Sequence, residues 1–190
     1  MKLWQIKVLL LTLLVSQSAF SQQPSSNIRS VDFANLTYPW TGDLADPKNP
    51  KRTFTLKKGE LPATRNARGL IDEMGVFLES VKYGDVTGDG VEEAIVSLSI
   101  QTGGSAIPGI IYIYTLRKNR PVLLWSRSTG DRADDGLHNV YAENGGLVVE
   151  LNGPQRDGEG DCCAMRFTRR RYVWNGRRFR QTGRMETVPL

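Results

Sequence analysis

The residue types best suited to chemistry lie in one short acidic loop, residues 84–93, which reads GDVTGDGVEE. Counted from Asp85, positions 1, 3, 5 and 9 carry side-chain oxygens, which belong to Asp85, Thr87, Asp89 and Glu93. Gly90 at position 6 allows a sharp bend, and the carbonyl of Val91 at position 7 supplies a further oxygen. Calcium binds six or more oxygens at about 2.3–2.6 Å. The spacing therefore predicts a calcium site, held by Asp85, Thr87, Asp89, Val91 and Glu93.

A second interpretation of the acidic loop needs no metal. Aspartate side chains often accept hydrogen bonds from backbone amides of their own turn, and the loop is then only a tight connection. A helix-loop-helix calcium site is excluded, because position 12 is Val96 rather than glutamate and the flanking residues have the pattern of strands. Calcium site and capped turn both remain open at this point.

The stretch GDVTGDGVEEAIV resembles the strand–loop–strand cation site of the FG-GAP/VCBS repeats found in integrin-type β-propellers. The resemblance implies calcium, with Asp85, Asp89 and Glu93 as carboxylate ligands and Thr87 as a weaker oxygen. The motif occurs once in the chain, whereas a propeller needs at least four blades. It therefore implies a local, propeller-blade-like motif and not a full propeller. The wider sequence resembles a group of secreted bacterial proteins that has no assigned activity.

The elements that must position this loop belong to a chain of 190 residues with 39% hydrophobic and 24% charged residues. That composition is typical of a globular domain. Residues 1–21 have the pattern of a signal peptide: Lys2 and Lys7 precede an apolar run, and Ala19-Phe20-Ser21 fits a cleavage site. We expect residues 22–30 to be a flexible leader and residues 31–190 to be a single β-rich domain. The protein is thus predicted to be secreted or periplasmic, without a membrane span.

Two cysteines, Cys162 and Cys163, are adjacent in the chain. A disulfide between neighbours requires an unusual peptide geometry, while an export compartment favours oxidised cysteines. A disulfide between Cys162 and Cys163 is one expectation, and two reduced cysteines or an intermolecular bridge are the others. A catalytic thiol is not expected, since no Cys-x-x-Cys spacing occurs.

Alternating hydrophobicity after residue 76 predicts an antiparallel all-β fold of about eight strands, as a sandwich or a small barrel. In residues 93–100 the pattern places Ala94, Val96, Leu98 and Ile100 on one face, and Glu93, Ile95, Ser97 and Ser99 on the other. The only segment with a helical pattern is 63–74. Near the C-terminus, Asn175-Gly176 predicts a two-residue turn in which Tyr172 faces Phe179, so that Tyr172, Trp174 and Phe179 share a buried face.

Charge is unevenly distributed, with acids concentrated in residues 131–161 and arginines in residues 162–190. The arginines predict an anion-binding face at Arg171, Arg178 and Arg180, although mutual neutralisation of the two segments is the simpler interpretation. The basic residues and interleaved aromatics could suit nucleic acid, but a shared core face is the commoner use of such aromatics, and nucleic acid is not expected. His138 is the only histidine, so a multi-histidine metal site is excluded.

These observations favour an exported, non-enzymatic β domain with a structural calcium loop, acting in binding or interaction outside the cytoplasm. Its partner would be an extracytoplasmic protein or a polysaccharide. One alternative is a small cell-envelope hydrolase that uses carboxylates of residues 131–161, since paired carboxylates can hydrolyse glycosides. Another is an inhibitor or accessory protein that docks on a secreted enzyme through the arginine-rich face. No residue is assigned a catalytic role.

Overall fold

The computed structural model describes residues 27–41, 52–131, 135–153 and 164–190. The predicted signal peptide, residues 22–26 of the predicted leader and the pair Cys162 and Cys163 lie outside these ranges. Residues 27–30 of that leader are part of the packed structure, because they form a 3₁₀ turn whose Ile28 is buried. The described part of the chain contains no helix long and apolar enough to cross a membrane.

Within the described ranges the chain is built from β-strands and two short 3₁₀ turns, Ile28–Ser30 and Phe33–Asn35. The strands are β1 (Thr37–Pro39), β2 (Thr53–Thr55), β3 (Glu60–Leu61), β4 (Thr64–Arg65), β5 (Ile71–Glu73), β6 (Gly75–Gly84), β7 (Glu93–Gln101), β8 (Gly109–Arg117), β9 (Arg120–Thr129), β10 (Leu137–Glu143), β11 (Gly146–Asn152), β12 (Arg166–Trp174) and β13 (Phe179–Pro189). All pairings between these strands are antiparallel. The predicted all-β class is confirmed.

Two larger sheets form a sandwich. One has five strands in the order β3-β6-β7-β8-β9, and the other has four in the order β10-β11-β12-β13. Neither closes into a barrel, because each ends in a strand that has no partner on its other side among the described strands. β1 with β2, and β4 with β5, form two small additional pairs.

The five-stranded sheet is buried on both faces, because β7 and β8 carry apolar side chains at consecutive positions. One face packs against the N-terminal residues, including Phe33, Tyr38 and Leu56. The other face packs against the four-stranded sheet, where Ile95, Ile111 and other side chains meet residues of β10 to β13. Along β7 the first face holds Ala94, Val96, Leu98 and Ile100, so the alternation predicted from the sequence is confirmed.

The predicted helix at residues 63–74 is wrong, because this segment forms the β4–β5 hairpin. The side chain of Asn66 accepts hydrogen bonds from the amides of Arg68 and Leu70, at 3.0 and 3.2 Å. Gly69 has φ +79°, which is incompatible with a right-handed helix. These local bonds offer the backbone an alternative to helical hydrogen bonding.

The predicted register of the last hairpin is also wrong, because Trp174 pairs with Phe179 and Tyr172 pairs with Gln181. The Asn175 side chain accepts from the amides of Arg177 and Arg178, so the connection has four residues rather than two. The partner of Tyr172 thus differs from the predicted one by two residues, and a shift by an even number leaves each side chain on the same face of the sheet. Tyr172, Trp174 and Phe179 therefore still lie together, as predicted, against the sheet–sheet core.

Candidate functional site

The acidic loop connects β6 to β7, and Asp85 organises it. Oδ1 of Asp85 accepts hydrogen bonds from the amides of Thr87 (3.1 Å) and Gly88 (2.6 Å), and Oδ2 accepts from the amide of Gly90 (2.9 Å). Gly88 and Gly90 have φ of 76° and 82°, which glycine adopts without strain. The loop is thus capped by its own carboxylate, as the turn interpretation requires.

Glu93 closes the other end of the acidic loop. Glu93 is 1% exposed. Its carboxylate accepts hydrogen bonds from the amide of Val86 at 3.2 Å and from the hydroxyl of Thr115 at 3.3 Å. Burial, together with the charges of Asp89 and Asp85, raises the pKa of the Glu93 carboxyl above its usual value, against the lowering effect of the two hydrogen bonds.

The donor set of the acidic loop fits calcium only in part. A carboxylate has about four acceptor positions, and three of those on Asp85 are used by amides, which leaves one on Oδ2. The hydroxyl of Thr87 is buried and has no hydrogen-bond partner within the described ranges. Asp89 is exposed, and its Oδ1 accepts from the amide of Val91 at 2.9 Å. In the described residues no three acidic, histidine or cysteine side chains are grouped as a metal site, so a bound ion would require Asp89 to reorient.

The acidic loop also joins the two sheets. A Cβ added to Gly88 would lie 3.2 Å from the carbonyl oxygen of Gly145, and one added to Gly145 would lie 3.1 Å from the Cα of Gly88. Val86 is fully buried among side chains of both sheets. The backbone of the loop therefore packs directly on the β10–β11 turn, and this contact depends on glycine at both positions.

The three predicted anion-binding arginines differ in their partners, although Arg171 and Arg180 share one face of the β12–β13 pair because Arg180 pairs with Val173, two residues from Arg171. Arg171 is ion-paired with Glu143 on the outer face of the four-stranded sheet. Arg178 lies in the β12–β13 connection, and Arg180 lies on β13, opposite Val173. Both are exposed. The predicted arginine-rich face is therefore divided into a neutralised part and an exposed part.

The described acids of residues 131–161 are largely engaged in ion pairs and hydrogen bonds. Asp135 lies 3.7 Å from Arg127 and 3.6 Å from Arg170. Glu150 is 4% exposed and contacts Arg169 at 2.7 Å. These two carboxylates are therefore held by arginines within the fold, and neither is presented as a free partner in the carboxylate pair that a glycosidase requires.

The structure contains a further feature that the sequence did not reveal, a polar cleft of about 360 Å³ beside the sheet–sheet core. Its polar lining includes residues from both sheets, among them Glu79, Lys82, Ser97, Ser99, His138 and Asn139. The predicted polar positions Ser97 and Ser99 on β7 were a signal for this cleft, since they follow Ile95 on the face that packs on the other sheet. The ring of His138 stacks on Phe167 with centroids 4.6 Å apart.

Comparisons of the chain with models of protein families, with curated proteins and with solved structures give no match.

Proposed function

We propose that this protein is an exported, non-enzymatic binding domain in which the acidic loop acts as a calcium-responsive connection between the two sheets. The observation that carries the proposal is the burial of Glu93, a residue that is 1% exposed and whose carboxylate has two other carboxylates as its charged neighbours. A cation bound beside Asp85, Asp89 and Glu93 would relieve this repulsion. Because the loop packs on the β10–β11 turn, such relief would strengthen the contact between the sheets.

Two further observations support the calcium part of the proposal. Among the residues that the structure describes, the buried hydroxyl of Thr87 lacks a partner, and one acceptor position of Asp85 Oδ2 is not used by an amide. With a carboxylate of Glu93 and a reoriented Asp89, these atoms supply hard oxygen ligands of the kind that calcium prefers. The ion would supply charge neutralisation and no catalytic step.

We prefer a binding role to hydrolysis because three acids that a hydrolase could use, Asp135, Glu143 and Glu150, are ion-paired with arginines. Export is part of the proposal because of the signal-peptide pattern of residues 1–21, and a mature N-terminus at Gln22 in the exported protein is its direct check. Protein retained in the cytoplasm with Met1 in place would contradict it.

The calcium part is tested by thermal unfolding of the protein in calcium and in a chelator. At a calcium concentration 100-fold above the dissociation constant, binding to the folded state alone adds about 2.7 kcal/mol, which corresponds to about 5–10 °C in Tm for a chain of this size. Asp89→Ala should abolish most of this shift, because Asp89 is the exposed ligand that must reorient.

The matched control is Asp72→Ala, which removes an equally exposed aspartate on β5, away from the acidic loop. It should retain the full calcium shift. An unchanged Tm of the unsubstituted protein across the calcium range would reject the calcium part and leave the acidic loop as a self-capped turn.

A further inference from the structure

The polar cleft lies where an edge of each large sheet meets the other. β3 pairs with β6 only at Val76 and Phe77, so the remainder of β6 has no strand on that side among the described residues. β10 is the edge strand of the four-stranded sheet. The two strands are joined across the cleft by a hydrogen bond from Nζ of Lys82 to Oδ1 of Asn139, at 2.6 Å.

Each of these facing strands has a β-bulge at the cleft. On β6, Leu78 pairs with Leu98 and Ser80 with Ser97, so Glu79 is the extra residue. On β10 the pairing shifts between Leu137 and Asn139, so His138 is the extra residue. A bulge redirects side chains and bends its strand. Both extra residues line the cleft, so the backbone irregularities of the two sheets converge on one place.

Ser97 is the second, independent observation. It lines the cleft and is 3% exposed, and its buried hydroxyl has no hydrogen-bond partner among the described residues. Buried hydroxyls in folded proteins nearly always have a partner, because a buried polar group without a hydrogen bond is destabilising. A group left in this state beside a cleft marks a position where a ligand can supply the missing bond.

The remaining polar groups determine the chemistry of such a ligand. Asn139 Oδ1 accepts from Lys82 and from the amide of Val140, which places the two N–H donors of its Nδ2 on the opposite side of the amide. The ammonium of Lys82 has three donors, of which Asn139 takes one. Glu79 accepts a hydrogen bond from Ser99 with one oxygen and has a second oxygen with acceptor capacity.

The cleft therefore combines donors and acceptors, and its lining carries both signs of charge through Glu79, Asp131 and Lys82. A lining of one sign would select an ion of the opposite sign, and this lining does not. Most of its polar members are uncharged, namely Ser80, Ser97, Ser99, Thr129, Asn139 and Asn152. A volume of about 360 Å³ is at the small end of ligand sites.

We infer that the polar cleft binds a small neutral polyhydroxylated ligand of the size of a single sugar unit. Each sugar hydroxyl can donate and accept at once, which matches the mixed donors and acceptors without requiring net charge. The inference relies on the proposed function only in treating the protein as a binding domain, and it is independent of calcium.

The test is a titration of the isotope-labelled mature chain with D-glucose and N-acetyl-D-glucosamine, followed by amide NMR shifts. Sugar should shift the signals of Ser97, His138 and Asn139 in a saturable manner. Ser97→Ala should weaken this binding by about threefold to tenfold, the value of one lost hydrogen bond. Lys82→Met, on the exposed rim, should weaken it as well, and Ser30→Ala, a surface serine outside the cleft, should not.

Glycine serves as the probe for a small zwitterion. Shifts at the cleft with glycine and none with either sugar would overturn the inference, as would sugar shifts confined to residues outside the cleft. Sugar affinity unchanged in both Ser97→Ala and Lys82→Met would also overturn it. If calcium still raises Tm but no sugar binds, the inference about the cleft fails while the proposed calcium-responsive loop stands.

Discussion

Glu93 and Ser97 lie four residues apart on the same face of β7, and both are buried polar residues, but their surroundings differ. The Glu93 carboxylate has two hydrogen-bond partners, the amide of Val86 and the hydroxyl of Thr115. The Ser97 hydroxyl has none in the described part of the chain. Between them, Ile95 is fully buried in the core shared by the two sheets. Along this face of β7, a hydrogen-bonded polar residue (Glu93) is followed by an apolar one (Ile95) and then by a polar residue without a partner in the described chain (Ser97).

The difference follows from how the two ends of the sandwich are closed. At the Glu93 end, the acidic loop folds back over the strand and packs on the β10–β11 turn, so the chain itself supplies the partners. At the Ser97 end, both edge strands have bulges, at Glu79 and His138, and a cleft lies beside them. A closed end contributes to stability, whereas an open end with an unmet hydrogen bond is suited to binding.

The largest expected effect on the free energy of unfolding comes from replacing Glu93 or Ser97 with an apolar residue. Glu93→Leu should lower the free energy of unfolding by about 1–3 kcal/mol, because the buried amide of Val86 loses its acceptor. Ser97→Ala should change it by less than about 0.5 kcal/mol or raise it, because the hydroxyl that is removed has no partner to lose. Urea unfolding followed by tryptophan fluorescence measures both values.

Glu93→Gln is the control for this pair, since its amide oxygen can accept from Val86 and its amide nitrogen can donate to Thr115. It should unfold at a urea concentration close to, or above, that of the unsubstituted protein. The comparison fails if Ser97→Ala is destabilised more than Glu93→Leu, because Ser97 would then have a structural partner.

Local patterns in the sequence predicted the parts of this comparison that depend on neighbours in the chain. Alternation placed Glu93, Ile95 and Ser97 on one face of β7, because side chains of a strand alternate regardless of what covers them. The glycines of the acidic loop predicted a sharp bend, and the spacing of Asp85 and Asp89 identified the loop as the place where carboxylates gather. All-β class followed from the same alternation.

The parts that depend on distant segments could not be predicted. The carboxylate of buried Glu93 contacts Thr115 on β8, and its loop packs on the β10–β11 turn, which lies more than fifty residues further along the chain. The cleft requires the bulges at Glu79 and His138, and a bulge is defined only by the pairing of two strands. The hairpin at Asn175-Gly176 took another register because the Asn175 side chain bonds to later amides, a choice that the dipeptide alone does not determine.

The smallest expected effect is a pH dependence that distinguishes the closed end from the open one. The folded state raises the pKa of Glu93, chiefly by burial and further by Asp89 and Asp85, so the folded chain holds this proton more tightly than the unfolded chain does. The stability that protonated Glu93 contributes is fully present below the unfolded pKa of about 4.3 and is lost as pH rises through the folded value.

Glu93→Gln removes that titration and should flatten this part of the stability curve, so the difference between the two proteins in urea midpoint should grow as pH rises from about 4 and then become constant. The variant comparison is needed because Arg29 lowers the pKa of neighbouring Glu92, which acts in the opposite direction in both proteins. Ser97→Ala carries no titrating group and should follow the curve of the unsubstituted protein at every pH. A difference between Glu93→Gln and the unsubstituted protein that is the same at every pH would contradict the raised pKa of Glu93 in the folded chain.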